Sequence, residues 1–180
     1  LPFMEIVGMD FGPEFEVTTY PVNPGPTLVI TTFFLMTELE VAAAKYSDLK
    51  LGPTTKSITM HLSVSKNDPE AKGTSRPWRC ICVAKADPTS HRRCPYHAAK
   101  HHHAYIMEVF RDALREDDNS PLFPDAMSRE LDADMVLEFI EVVATLMNEP
   151  LHTDKGVRRF GKHSFRATGA VYLALMGISV

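Results

Sequence analysis

The sequence predicts a mainly α-helical α+β domain with a small antiparallel β-sheet and a Cys/His-rich insert. Several segments repeat apolar residues at helical spacing, and one segment alternates apolar and polar residues as a half-buried strand does. All three cysteines lie in one polar stretch, which marks the insert. A chain of 180 residues, of which 44% are hydrophobic, can bury one core, so we expect a single folded domain.

The first quarter of the chain combines a Pro/Gly-rich stretch with an apolar one. Residues 1–26 show little periodicity and are interpreted as an irregular lead-in or linker. Residues 27–46 are apolar and then amphipathic, and they predict either one helix or two helices separated near Met36. Thr37 is a suitable N-cap for a second helix, because Glu40 three residues later would complete a capping box.

A turn at Gly52 and Pro53 precedes the alternating segment. Residues 57–65 predict a strand that continues into a hairpin or a long β-loop. Gly177 is suited to end the last helix of the chain. Helical periodicity predicts the remaining helices over 98–116, 129–148 and 162–176.

Neither a membrane span nor a secretory signal is expected. The longest stretch without a charged residue, 17–37, contains Pro21, Pro24 and Pro26, which do not suit a spanning helix. The N-terminus has no basic segment ahead of an apolar one. We therefore expect an intracellular protein.

The net charge of −4 hides two basic segments. Residues 76–103 and 155–166 together hold 11 of the 19 Lys and Arg residues but 1 of the 23 acidic residues. A chain that segregates charge in this way can present a phosphate-binding face to a nucleic acid. A solvated surface patch explains the same pattern, so charge alone leaves both interpretations open.

The Cys/His-rich insert, residues 76–103, has the spacing of a metal site. Cys80-x-Cys82 and Cys94-x-x-His97 form two close pairs bridged by eleven residues. Four such ligands suit a tetrahedral structural zinc ion, which would order a segment that lacks a core of its own. An odd number of cysteines without a secretory signal argues against structural disulfides. Three reduced thiols beside a surface histidine remain the competing interpretation, and the histidines that could replace His97 are His91 and His101.

A histidine and an arginine in the second basic segment suit a phosphodiester. His163 and Arg166 lie three residues apart, so on a helix both side chains would project from one face. Arginine can bind two oxygens at once, and a nearby helix N-terminus adds a favourable dipole. Arg158, Arg159 and Lys162 add positive charge and are candidate DNA-binding residues. An exposed basic helix start is the competing interpretation.

The sequence around this pair resembles the His-x-x-Arg box of the tyrosine recombinases, the phage-integrase superfamily. The matching residues run Gly161-Lys-His163-Ser-Phe-Arg166-Ala-Thr-Gly-Ala. Further segments resemble the family in the same order, and the resemblance covers residues 27–180. They are Thr37-Glu-Leu-Glu-Val-Ala with Tyr46-Ser-Asp-Leu (the segment of the first catalytic arginine), Ser63-Val-Ser-Lys66 (the hairpin of the catalytic lysine), Leu122-Phe-Pro before a long helix, and the insert with Cys94-Pro-x-His97, which is similar to divergent eukaryotic members.

The resemblance implies an integrase-like catalytic domain that binds duplex DNA beside other recombinase protomers. It implies DNA strand breakage and rejoining in recombination and integration, by a tyrosine that needs no metal or nucleotide. Arg166 would clamp the scissile phosphate, His163 would assist proton transfer, and Lys66 would protonate the leaving 5′ oxygen. In a eukaryotic host the resemblance implies a nuclear protein.

The chain departs from the family at two points. Thr37 stands where the first arginine is expected, and threonine supplies no guanidinium fork. The nucleophilic tyrosine would follow the His box beyond Val180, and Tyr172 is expected to be a packing residue. We therefore expect a domain over 27–180 that is catalytically incomplete. A non-catalytic DNA-binding relic and a zinc-stabilised helical protein of unrelated function are the alternatives.

Overall fold

The structure, a computed structural model, describes residues 20–63, 73–82, 89–116 and 119–178. Within these ranges the chain forms seven α-helices, one 3₁₀ turn and a three-stranded antiparallel sheet, which confirms the mixed α+β class. The helices are α1 (Pro24–Phe33), α2 (Glu38–Ala43), α3 (Thr89–Arg92), α4 (Pro95–Val109), α5 (Arg111–Glu116), α6 (Ala133–Leu146) and α7 (Ser164–Leu175); the 3₁₀ turn is Tyr46–Asp48, and the strands are β1 (Leu49–Gly52), β2 (Ser57–Leu62) and β3 (Thr74–Arg79).

The sheet has β2 in its centre, between β1 and β3. Ile58, Met60 and Leu62 on β2 are buried, so the predicted alternating strand is confirmed. Sequence patterning misses the other two strands, because β1 has four residues and β3 is polar along most of its length. Pro77 lies within β3, which is an edge strand, so its missing N–H leaves no gap between paired strands.

Helix α1 lies at the centre of the core. Residues 27–33 are all buried, and α4 and α7 both pack against the helix. The ring of Phe33 meets Trp78 and Tyr172 edge to face, with centroids 5.3 Å and 5.6 Å away. A helix that is buried on all sides needs few charged residues, which explains the long uncharged stretch in the sequence.

Several predicted boundaries shift by a few residues. The first turn of α1 is formed by residues 24–26, so the interpretation of 1–26 as an irregular lead-in is wrong at its end; proline suits the first turn of a helix. The break before Thr37 is confirmed, and the capping box with Glu40 is present. Helix α6 begins only at Ala133, because Asp132 caps it.

The predicted helix over 98–116 is two helices, α4 and α5, and it begins at Pro95. Gly177 follows α7 in the left-handed region, with φ 74°, as expected for a residue that ends a helix.

Close packing of α7 on α1 depends on Gly169. A Cβ at this position would collide with the carbonyl oxygen of Thr32 and with the side chain of Leu35. We expect Gly169→Ala to lower the free energy of unfolding by about 1–3 kcal/mol, although alanine favours helix formation. Urea unfolding followed by circular dichroism measures the change. Gly161→Ala is the control, since a Cβ there meets nothing within 4 Å; equal stability of both variants and wild type would contradict the packing.

His102 makes stability depend on pH. The side chain is fully buried on α4, its Nε2 donates to the carbonyl oxygen of Leu122 at 2.7 Å, and burial lowers its pKa to about 4. Between pH about 6.5 and about 4 the unfolded chain binds a proton that the folded chain does not, so stability falls by up to about 3 kcal/mol as the pH drops. His102→Gln keeps an N–H donor and should flatten this part of the profile. Identical pH profiles for both proteins would rule the explanation out.

Candidate functional site

Four side chains of the Cys/His-rich insert meet between the sheet and α4. Cys80 and Cys82 follow β3, Cys94 is the N-cap of α4, and His97 lies in the first turn of that helix. One ligand atom from each residue lies within 4.8 Å of all the others. The structure therefore brings together the four residues that the sequence predicts as metal ligands.

Three distances within this cluster match those expected around a tetrahedral ion. The Sγ atoms of Cys80 and Cys94 are 3.8 Å apart, and Nδ1 of His97 lies 3.7 Å from Cys80 Sγ and 3.4 Å from Cys82 Sγ. Thiolates about 2.3 Å from a tetrahedral ion must be about 3.8 Å apart, and such a thiolate and an imidazole nitrogen about 3.6 Å. The cluster can hold one metal ion with little movement.

Local structure fixes both halves of the cluster. The N–H of Cys80 donates to the carbonyl oxygen of Lys56 at 2.8 Å, which holds the end of β3 against the turn between β1 and β2. Cys94 is buried, and Pro95 after it starts α4. Of the alternative ligands, His91 stacks on His97 with centroids 4.3 Å apart, and His101 is exposed; neither belongs to the group of ligand atoms found in the described residues.

The protonation states of the cluster favour a bound cation. Burial, together with the neighbouring thiols of Cys94 and Cys80, raises the pKa of Cys82 to about 12. Burial, aided by the charges of His91 and Lys100, lowers the pKa of His97 and so favours the neutral imidazole that binds metals. Three crowded thiols do not ionise together unless a cation neutralises them, which is what metal binding supplies.

A second cluster joins α7 to the start of α2. Nη2 of Arg166 donates to both carboxylate oxygens of Glu40, at 3.0 Å and 2.8 Å, and its Nε donates to the carbonyl oxygen of Leu35 at 2.8 Å. The same carboxylate accepts the N–H of Thr37 at 2.6 Å. The Glu40 side chain is 4% exposed and that of Arg166 is 37% exposed, so the pair reaches from the interior to solvent.

A second guanidinium lies at this cluster. Nη1 of Arg76, on β3, donates to the carbonyl oxygen of Phe34 at 2.5 Å, and Nε1 of Trp78 donates to that of Phe33 at 3.0 Å. Burial lowers the pKa of Arg76, while the charge of Glu40 raises it and that of Arg166 lowers it. The sequence analysis does not identify Arg76 as a site residue. The signal available is its spacing from Trp78, because residues two positions apart on a strand point to the same face.

The other predicted catalytic residue in the described ranges, His163, makes no hydrogen bond to this cluster. His163 is the exposed N-cap of α7, and Arg166 lies three positions later in the first turn of the helix. That the two side chains share one face stays a prediction. Lys66 lies outside the described residues.

The predicted DNA-binding residues are all exposed, but two of them are paired with acids. Arg158 bonds Glu141 at 2.5 Å, which lowers the pKa of Glu141, and Arg159 bonds Glu149 at 3.0 Å. Lys162 has no partner among the residues that the structure describes. The free positive charge of this segment is therefore smaller than the sequence suggests.

Comparisons with known proteins assign no family to the chain: neither a scan against protein-family models nor a search of curated proteins gave a match. None of the helices in the described ranges is long and apolar enough to cross a membrane. The function is therefore inferred from the two clusters themselves.

We expect the cysteine cluster to bind one divalent metal ion per chain. Titration of the metal-free protein with Co²⁺ should give thiolate-to-cobalt charge-transfer absorption that saturates at about one equivalent. Cys94→Ser should reduce this absorption and the metal content, whereas His101→Ala, at an exposed histidine outside the cluster, should leave both unchanged. Less than about 0.2 equivalents bound by the wild-type chain would contradict the site.

Proposed function

We propose that the chain is a DNA-binding domain of the tyrosine-recombinase type, which binds the phosphates of duplex DNA and carries a structural zinc ion. The observation that carries this proposal is the contact between Arg166 and Glu40. It joins the helix that resembles the His box to the segment that resembles the site of the first arginine. These two residues are 126 positions apart in the chain.

The contact matters because it makes neighbours of two segments that the family's chemistry requires to be close together. Two arginines from distant segments can clamp one phosphate only if the fold makes those segments neighbours. Here the Arg166 guanidinium and the N–H of Thr37 share one carboxylate, that of Glu40. A chance His-x-x-Arg pattern in an unrelated protein gives no reason for this juxtaposition, so the geometry favours the recombinase-type domain over an unrelated zinc-stabilised protein.

Charge at the cluster supports phosphate binding. Arg76 and Arg166 both interact with one carboxylate, that of Glu40, so two guanidinium groups share a single acidic partner. Lys155 and Lys162 are exposed on the segment that leads into α7. Fixed guanidinium groups that present several N–H donors are well suited to phosphate oxygens.

We assign DNA binding and not strand cleavage to the described residues. Thr37 offers no guanidinium where the family has its first arginine. Tyr172 packs edge to face on Phe33, and burial raises its pKa, so it is not an activated nucleophile. Other recombinase protomers and, in a eukaryotic host, a nuclear location accompany this proposal.

We assign zinc to the cysteine cluster because three thiols and one imidazole are the ligand set of a tetrahedral structural zinc ion. Four protein ligands leave no open position for water or substrate, so the ion would be structural. The cobalt titration extends to this assignment, because zinc should displace the bound cobalt and abolish its absorption.

Binding to duplex DNA at increasing salt tests the proposal. The association constant should fall steeply with salt, and Arg166→Gln should weaken binding by about tenfold and reduce the salt dependence. Arg111→Gln, at an exposed arginine on α5 outside both basic segments, is the charge-matched control and should change little. Salt-independent binding, or equal loss in the two variants, would count against the proposal.

The variant needs a folding control. Arg166→Gln leaves the buried Glu40 carboxylate without its cation, so the double variant Arg166→Gln/Glu40→Gln is measured beside it. Glutamine at the third helical position also completes a capping box, so α2 should keep its start. Affinities are compared only among variants with the thermal melting of the wild type.

A further inference from the structure

We propose that Arg76 on β3 supplies, together with Arg166, the second guanidinium of a clamp for one phosphodiester of duplex DNA. Arg76 would then take the place that Thr37 leaves without a guanidinium. This inference rests on the proposed function, because it names a further residue of the same site. No sequence motif points to Arg76, and its contacts carry the proposal.

The two arginines approach the same end of α1 from different elements. Arg76 donates to the carbonyl oxygen of Phe34 and Arg166 to that of Leu35, at 2.5 Å and 2.8 Å. Consecutive residues therefore hold the two guanidinium groups at neighbouring positions. On β3, Arg76 lies on the same face as Trp78, which donates to the preceding carbonyl oxygen, so the strand turns this face toward α1.

Both arginines keep donors for a ligand. A guanidinium has five N–H donors, and the hydrogen bonds found in the described part of the chain use only Nη1 of Arg76. Arg166 uses Nε and Nη2, which leaves Nη1, and its side chain is 37% exposed. A phosphodiester offers two charged oxygens, which matches two guanidinium groups better than one.

The charge at this place exceeds what helix capping needs. Trp78 satisfies the carbonyl of Phe33 with a neutral donor. The C-terminus of a helix carries about half a negative charge, and Glu40 adds one, so two arginines overcompensate. Two neighbouring cations repel each other in a half-buried place. Glu40 is the one carboxylate that they share, and a DNA phosphate would supply a further anion.

The variant Arg76→Gln tests whether Arg76 binds phosphate or only caps the end of α1. Glutamine can still donate to the carbonyl oxygen of Phe34 but brings no charge. We expect affinity for duplex DNA to fall by about tenfold, and the slope of log K against log salt to become shallower by about one unit. Arg79→Gln on the opposite face of the same strand removes the same charge from an exposed arginine and should leave the slope unchanged.

Arg76→Lys provides the second arm of the experiment, because it restores the charge without the fork. It should return the wild-type salt slope with lower affinity than the wild type. A slope for Arg76→Lys that equals that of Arg76→Gln would overturn the clamp. Thermal melting of all variants is measured as well. If Arg76→Lys and Arg76→Gln melt at the same temperature but only Arg76→Lys has the wild-type salt slope, the difference in DNA binding is due to the charge and not to a difference in stability.

The outcomes distinguish this inference from the proposed function. If Arg166→Gln weakens binding while Arg76→Gln binds with the wild-type slope, Arg76 is a helix cap only, and the proposed function stands. If Arg79→Gln and Arg76→Gln reduce the slope equally, the strand contributes a diffuse basic surface and the clamp is wrong. If the wild-type chain does not bind duplex DNA, the proposed function and the clamp both fail.

Discussion

The C-terminal end of α1 is the constraint on which the rest of the structure depends. A helix buried along almost its whole length ends with carbonyl groups that water cannot reach, and α1 has no basic residue in its last turn. Leu35 adopts a left-handed conformation, with φ 54°, so that the chain turns back and satisfies two carbonyls from its own backbone. The next three carbonyls receive donors from β3 and α7, namely Trp78, Arg76 and Arg166. One helix end thereby joins the sheet and α7 to the core.

The cysteine cluster acts on the same end of α1 through β3. This strand is at the edge of the sheet and mostly exposed, so β2 is its only strand partner among the described residues. Cys80 and Cys82 follow it directly, and their partners Cys94 and His97 start α4, which packs on α1. A metal ion would therefore fix the strand that carries Trp78 and Arg76. Strand β3 therefore links the two clusters. Loss of a bound metal ion would loosen β3 and with it the position of Arg76.

Patterns in the sequence predict those structural features that residues close together in the chain form. The capping box from Thr37 to Glu40, the central strand and the four metal ligands all follow from residues close together in the chain. Long-range contacts are not visible in this way. Strand β3 is a strand because β2 pairs with it, and the Glu40 carboxylate predicted as a cap also holds Arg166, 126 residues further on. Ion pairs are likewise invisible in a count of residues. The pair between Arg158 and Glu141 neutralises a positive charge that the count treats as free.

Prior ordering of the arginines connects this architecture to binding. An arginine that is free in solution loses about 2 kcal/mol of side-chain conformational entropy when a ligand immobilises it. Arg166 is already held at three acceptor atoms, and Arg76 at one, by groups that the fold needs for its own stability. A phosphate that meets them therefore encounters donors whose entropy was lost on folding, and more of the interaction energy appears as affinity. The carbonyls that accept from these arginines thus also hold the two guanidinium groups in place for the proposed phosphate ligand.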